Sequence, residues 1–255
     1  MIKIQNYING EFISSDDNLD DINPATGEII ASIPNSNSKD VDLAVQAADN
    51  ARKSWSSLSI DERAQWLGKI ADSLESRSEE IASLESLDTR NPISLARAVD
   101  ASRSVTNFRF FGEFAKDYSQ EKFEMDDATN HVILKPVGIA GLITPWNLPL
   151  YLLSWKIAPA IVMGNTVIAK PSELTPLTAN LLAEVIHEIG LPKGVVNILH
   201  GLGSDAGQAI VEHPKINLIS FTGGTTTGKK VAETAAPMFK KLSLELGGKN
   251  ATLIL

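Results

Sequence analysis

From Val137 to Leu246, short runs of aliphatic and β-branched residues alternate with stretches whose apolar positions recur every three or four residues. The runs are VGIAGLITP, TVIAKP, GVVNILHG, INLISFTGG and KKLSLEL; TPLTANLLAEVIHEIG is the clearest helical pattern between them. Strands that are apolar throughout are buried on both faces, and strands separated by helices run parallel. Residues 137–255 are therefore expected to form an α/β unit, a parallel sheet with helices on both faces. Ligands of such sheets lie at the carboxyl ends of the strands.

Before that unit the pattern differs. NYINGEF and DINPATGEIIASIPNS read as short strands joined by turns at Asn9-Gly10 and Pro24–Gly27, together a small N-terminal sheet. From Asp40, DVDLAVQAADNARKSW has helical spacing. A capping box at Ser59–Glu62 opens a second helix carrying Leu67, Ile70, Leu74, Ile81 and Leu84. A third helix is expected to start at Asn91-Pro92 and continue through LARAVDASRSVTNFRFFGEFA. These elements fill residues 1–119, with Trp66 and Trp155 expected in the core. Residues 120–136 turn polar and then alternate, which predicts a projecting β-hairpin.

Composition narrows the partners. The chain has 255 residues, 43% of them hydrophobic, enough for a sizeable core. A net charge of -8 and a pI near 5.1 argue against nucleic acid and anionic membranes, whose phosphates call for clustered Lys and Arg. The first residues lack the apolar core of a signal peptide, and LPLYLLSWKIAPAIVMG is interrupted by Lys156 and Pro159, so a soluble, cytoplasmic protein is expected. There is no cysteine, hence no disulfide, thiolate nucleophile or Cys-based metal site. His131, His187, His200 and His213 show no metal-ligand spacing; they read as surface or turn residues, and no metal is expected.

Two glycine-rich stretches suggest phosphate binding and fall short of it. HGLGSDAG places Gly201, Gly203 and Gly207 as G-x-G-x-x-x-G, one residue longer than a dinucleotide fingerprint. GGTTTGKK matches G-x-x-x-x-G-K from Gly223 to Lys229, but Lys230 stands where a phosphate loop needs a hydroxyl for magnesium. A helix start that attracts anions remains open there.

The other strand ends carry polar residues with competing readings. In ITPWNLP, Trp146 and Asn147 stand between Pro145 and Pro149, where an N-cap is the plain alternative to a functional pair. Lys170 ends a strand and Glu173 follows three residues on; the two either hold ribose hydroxyls or form a solvated turn with a capping acid. Glu245 interrupts LSLEL, where a carboxylate is paired, at a strand end, or functional.

Together, ITPWNLPLYLLSWKIAPAIVMGNTVIAKPSELTPLTA, GLPKGVVNILHG, ISFTGGTTTG and LSLELGGKN, with NPATGE near the start, resemble the successive blocks of the aldehyde dehydrogenase superfamily, in order and at compatible spacing. The resemblance covers nearly the whole chain. It implies a Rossmann-like NAD-binding core at 137–255, an N-terminal part of the same domain at 1–119, an oligomerisation-type hairpin at 120–136, and a C-terminal catalytic domain that these residues do not contain. By similarity Lys170, Ser172 and Glu173 lie at the adenosine ribose, and Glu173 would repel a 2′-phosphate, favouring NAD over NADP. Thr144, Pro145, Trp146 and Asn147 line the cofactor cleft, and Gly203 and Gly207 flank the adenine. Phe221, Thr222, Gly223 and Gly224 approach the pyrophosphate, with Thr227 and Leu246 also at the cofactor. Asn147 matches the oxyanion-stabilising amide and Glu245 the general base that activates water.

The reaction implied is oxidation of an aldehyde to a carboxylic acid, in a complete enzyme that is a homo-oligomer. Its cysteine nucleophile is not in these 255 residues, so the chain alone is expected to be inactive by that route. Within the family, NFRFFGEFA and PWNLPLYLLSWKIAPA are most similar to the dehydrogenases of muconic-type semialdehydes, with betaine aldehyde dehydrogenases next. Gly224 replaces a usual Ser, and Arg90 a usual Gly, so the turn before the third helix either adopts a different backbone or takes strain at φ > 0. Two other readings stand beside this one, a non-catalytic dinucleotide-binding or assembly module and a phosphate-loop nucleotide binder.

Overall fold

The computed structural model describes residues 1–118, 121–248 and 250–254. Five short strands open the chain: β1 (Ile2–Lys3), β2 (Asn6–Ile8), β3 (Glu11–Ile13), β4 (Asn18–Ile22) and β5 (Ile29–Pro34). The helical part follows, with α1 (Ser38–Ser57), α2 (Ile60–Ser76), α3 (Ser78–Thr89), α4 (Ile93–Ala96), a π-turn at Arg97–Ala101 and α5 (Ser102–Lys116). A hairpin, β6 (Lys122–Glu124) and β7 (Thr129–His131), leads into β8 (Ile139–Ile143), α6 (Pro149–Val162), β9 (Thr166–Lys170), α7 (Leu177–Glu188) and β10 (Val196–Ile198). A π-turn at Gly203–Gly207, α8 (Gln208–Glu212), β11 (Ile216–Gly223), α9 (Thr225–Ala235) and β12 (Lys241–Leu246) complete the fold.

The main sheet has seven strands in the order β12-β11-β8-β9-β10-β2-β3. The five strands from β8 to β12 are parallel, and the chain winds outward from β8 in both directions. That reversal between β8 and β11 leaves a crevice beyond their carboxyl ends, as in other doubly wound sheets. Alternation sorts the strand residues by face. Ile139, Ile143, Ile168, Ile219 and Phe221 pack with α1, α8 and α9. Ala140, Leu142, Val167 and Ala169 pack with α2, α5, α6 and α7. Gly141 allows the close approach of α8, since a Cβ there would lie 2.5 Å from Ile210 Cγ2.

The five parallel strands match the apolar runs of the sequence. So does the hairpin, whose six paired residues are all exposed; the boundary expected at 119/120 lies outside the described residues. The capping box is in place, with Glu62 N donating to Ser59 Oγ at 3.2 Å and Ser59 N to Glu62 Oε2 at 2.7 Å. Arg90 takes φ 61° and ends α3 by donating its N–H to Ser86 O.

Four expectations need correction. The N-terminal strands do not form one sheet: β1, β5 and β4 make a three-stranded sheet, while the β2–β3 hairpin extends the main sheet, antiparallel to β10. Asn6 fixes it there by accepting the His200 N–H. The second helix breaks at Arg77, whose guanidinium is held by Glu80 and Glu184. Trp155 is 47% exposed; the core tryptophan is Trp55, whose Nε1 donates to Ile161 O at 2.9 Å. His200 is buried, not at the surface, and burial beside Lys170 pushes its ring down to about 3, so it is neutral.

Candidate functional site

The crevice at the switch point opens into a cleft of about 560 Å³. Its apolar walls are Ile143 at the end of β8, Phe221 near the end of β11, and Val211 and Val231 from α8 and α9. Glu173, Gly203, Gly207 and Thr227 line it as well. The sequence did not single out Leu202, Ser204 or Gln208, which share the lining with Lys230 because the π-turn and the start of α8 face α9 across the cleft.

Lys170 lies behind Glu173. Its side chain is 2% exposed, and Nζ donates to Glu173 Oε2 and to Pro171 O, both at 2.9 Å. Burial lowers the ammonium pKa and the Glu173 carboxylate opposes the shift, so the pair presents a fixed carboxylate edge to the cleft. Gly207 sits over the lysine stem, where an added Cβ would be 3.6 Å from Lys170 Cδ. Ser172 is buried and accepts from Leu174 N.

At the other end of the cleft α9 begins. Gly224 is its N-cap, extended at φ -68° and ψ 145°, with no side-chain cap and no acid in the first turn. Its first N–H groups are thus free for an anion. Thr222 and Gly223 lead into this start, and the Phe221 ring folds back so closely that a Cβ on Gly223 would lie 2.5 Å from its Cζ. Leu246 approaches from β12, leaving no room for a side chain at Gly228. Of the two lysines in GGTTTGKK, Lys230 lines the cleft and Lys229 does not.

Thr144 is buried at the end of β8, its N–H donated to Lys170 O at 3.2 Å. Pro145, Trp146 and Asn147 follow in the loop to α6, with Trp146 and Asn147 exposed. The N-cap reading of Asn147 does not hold: Leu148 occupies the cap, and Glu85 of α3 accepts the Leu150 N–H at 3.0 Å.

Glu245 is not in this cleft. It is paired with Thr222 across β11–β12 but points to the opposite sheet face. There a second cleft of about 350 Å³ lies between α6 and the outer strands, lined by Phe111, Trp155, Lys156, Met163, Ser220, Ser243 and Glu245 among others. Lys156 is buried and donates to Ser220 Oγ at 2.7 Å. Burial pushes its amine down to about 8, with the Glu245 charge opposing. One sign of this group is legible before folding, a charged residue inside the most apolar helix.

A doubly wound sheet with a carboxylate–lysine pair and an uncapped helix start around one crevice defines a nucleotide-binding type of α/β protein. The chain belongs to the aldehyde dehydrogenase family, whose profile matches residues 12–255. It is 48% identical over its whole length to human (Homo sapiens) 2-aminomuconic semialdehyde dehydrogenase, covering 53% of that protein. To 2-hydroxymuconic semialdehyde dehydrogenase of Pseudomonas sp. (strain CF600) it is 44% identical, again over its whole length and 54% of the relative. The NAD+ complex of aldehyde dehydrogenase from Bacillus cereus superposes with a TM-score of 0.95 at 39% identity, over 99% of this chain and 52% of that one. The chain thus spans about half the length of the relatives it matches.

Proposed function

We propose that these residues form the NAD-binding half of a cytoplasmic dehydrogenase that oxidises a semialdehyde to a carboxylic acid. The observation that carries the reading is the Lys170–Glu173 pair set across the crevice from the free start of α9. A dinucleotide fits this cleft by its chemistry. Glu173 and Lys170 would hold the ribose hydroxyls, Ile143, Phe221, Val211 and Val231 would enclose the adenine, and the N–H groups after Gly224 would take the pyrophosphate. The Glu173 carboxylate disfavours a 2′-phosphate, so NAD is preferred over NADP. When bound, NAD accepts a hydride.

The chain's own residues would serve the aldehyde in two ways. Asn147, not engaged as a cap, is free to donate its amide to a developing oxyanion. Glu245, on the face away from the crevice, would take a proton from water. The sequence has no cysteine, so a thiol nucleophile would come from outside these 255 residues, and the β6–β7 hairpin would join subunits of the complete homo-oligomer. The muconic-type substrate is inferred from the two relatives named above.

Calorimetric titration with NAD, NADP and Mg-ATP in parallel tests the reading. Saturable binding that favours NAD supports it. Binding of Mg-ATP alone would replace it with the phosphate-loop reading. Robust NAD reduction by the pure chain with an aldehyde would refute the need for an external thiol.

A further inference from the structure

The cleft around Lys156 holds more chemistry than one general base requires. Helix α6 packs on β8 and β9, so the same face of β11 and β12 beside it forms the floor of a cleft. Ser220 stands opposite Ser243 in the β11–β12 register, and Glu245 lies two residues further along the same face. Lys156 reaches down from α6 to Ser220 Oγ at 2.7 Å. The bonded Lys156 amine and Ser220 hydroxyl therefore line one cleft with the Glu245 carboxylate, walled by Phe111, Trp155 and Met163. The nearest partner of the amine is a hydroxyl, which does not hold it as an ammonium as firmly as a carboxylate would.

We propose that Lys156 is a covalent aldehyde-capture site, its amine condensing with an apolar aldehyde in this cleft to give an imine, with Glu245 carrying the protons. The Nζ lone pair attacks the carbonyl carbon, a C–N bond forms, and the carbonyl π pair moves to oxygen. Glu245 takes a proton from the nitrogen, and the alkoxide is protonated from solvent to give the carbinolamine. The nitrogen lone pair then expels the hydroxyl, which leaves as water with the proton returned by Glu245. Loss of the remaining N–H proton to solvent, balancing the one the alkoxide took, yields the neutral imine. Amine and aldehyde become imine and water, with Glu245 restored and no oxidant consumed.

The electrostatics agree. With the amine pushed down to about 8, roughly one Lys156 in ten is unprotonated at pH 7, against fewer than about one in a thousand for an ordinary lysine. Lys240 separates this effect from the geometry. Its amine is also pushed down to about 8, but its Nζ donates to the His213 carbonyl and it lines neither of the two clefts. The capture site shares the aldehyde class of ligand and the Glu245 carboxylate with the preceding reading, and needs neither NAD nor a thiol.

The test treats the full 255-residue chain at pH 7 with benzaldehyde and sodium cyanoborohydride, which reduces an imine to a stable benzylamine, and maps the modified peptides over time. Lys156 should be labelled about tenfold or more ahead of Lys240 and the exposed lysines, and the preference should vanish in denaturing urea. Glu245→Gln should slow labelling of Lys156 by about tenfold or more and leave the exposed lysines unchanged. Uniform labelling, or Lys240 reacting as fast as Lys156, would overturn the capture site. An unchanged Lys156 rate in Glu245→Gln would remove the carboxylate from it. NAD titration of the same sample separates the two readings: NAD binding without a Lys156 adduct sinks only the capture site, and an adduct without NAD binding sinks only the dinucleotide reading.

Discussion

The two faces of the central sheet each bury a lysine, and their partners set them apart. On the crevice face Lys170 is bonded to a carboxylate at 2.9 Å, and on the α6 face Lys156 is bonded to a hydroxyl at 2.7 Å. Both amines lose water, which favours the neutral form. At Lys170 burial lowers the amine pKa and the hydrogen-bonded Glu173 carboxylate opposes the shift directly. At Lys156 the offset comes from Glu245 without a hydrogen bond, and the amine falls to about 8. On the proposed readings, the same residue type would hold a ligand on one face and react with a carbonyl on the other.

The largest expected effect concerns what supports the α6 face. Glu85 is fully buried, accepts from Leu150 N and Thr178 Oγ1, and is pushed up to about 8 by burial and by the nearby Asp100. Asp88, raised to about 9, adds to the acidic surroundings. A carboxyl whose pKa is raised on folding stabilises fully below its unfolded value near 4.5, and that stability is lost as pH rises toward 8. By pH 7 the loss attributable to Glu85 is about 3 kcal/mol. Glu85→Gln should therefore flatten the fall in stability between pH 5 and 8, measured by urea unfolding. A variant that follows the same pH dependence as the natural chain would show that Glu85 is ionised in the fold and that α6 is anchored differently.

On the crevice face the next effect is on binding. Lys170→Met keeps the stem beneath Gly207 but leaves Glu173 without its cation. Loss of a charge-assisted hydrogen bond and of the carboxylate's orientation should weaken NAD by about 2 kcal/mol, some thirtyfold in Kd by calorimetry. Glu173→Gln should cost about as much and narrow the preference for NAD over NADP. If neither variant changes NAD affinity, the pair is a structural turn and the two faces differ in stability alone.

Much of this frame is legible before folding, because short-range rules govern it. Continuous apolar runs gave all five parallel strands, Ser59 and Glu62 gave the start of α2, and Asn9-Gly10 gave a hairpin whose turn residues take φ 54° and 77°. What escaped depends on distant partners. The edge position of that hairpin rests on Asn6 meeting His200 across 194 residues, and the break at Arg77 rests on Glu184 of α7. Lys156 was visible only as an interruption in an apolar helix, since periodicity marks a buried position without saying which strand residue it meets. Trp155 shows the converse, an aromatic at helical spacing that ends beside a cleft rather than in the core.

A smaller effect bears on how the two clusters differ in coupling. Glu245 raises the Lys156 pKa through space. Glu245→Gln should therefore lower it further, by less than about one unit because the carboxylate is exposed and its field is screened. The pH profile of Lys156 labelling reads this directly. A midpoint that moves upward would contradict the assigned sign and place another charge nearer the amine.

The smallest effect discriminates between neighbours. Lys229 and Lys230 are both exposed on α9, but only Lys230 lines the cleft. Were GGTTTGKK a phosphate loop, Lys229 would reach the phosphates and its loss would abolish nucleotide binding. With the anion held by backbone N–H groups at the start of α9, Lys229→Ala should change NAD affinity by about twofold at most. Lys230→Ala should cost a few tenths of a kcal/mol at low salt and nothing measurable at high salt, as screening removes a solvent-exposed charge. A large, salt-resistant loss at Lys229 would shift the phosphate contact from the helix backbone to a side chain. The crevice would then hold its ligand by lysines at both ends, and the contrast between a carboxylate-bonded lysine on one face and a hydroxyl-bonded one on the other would rest on Lys156 alone.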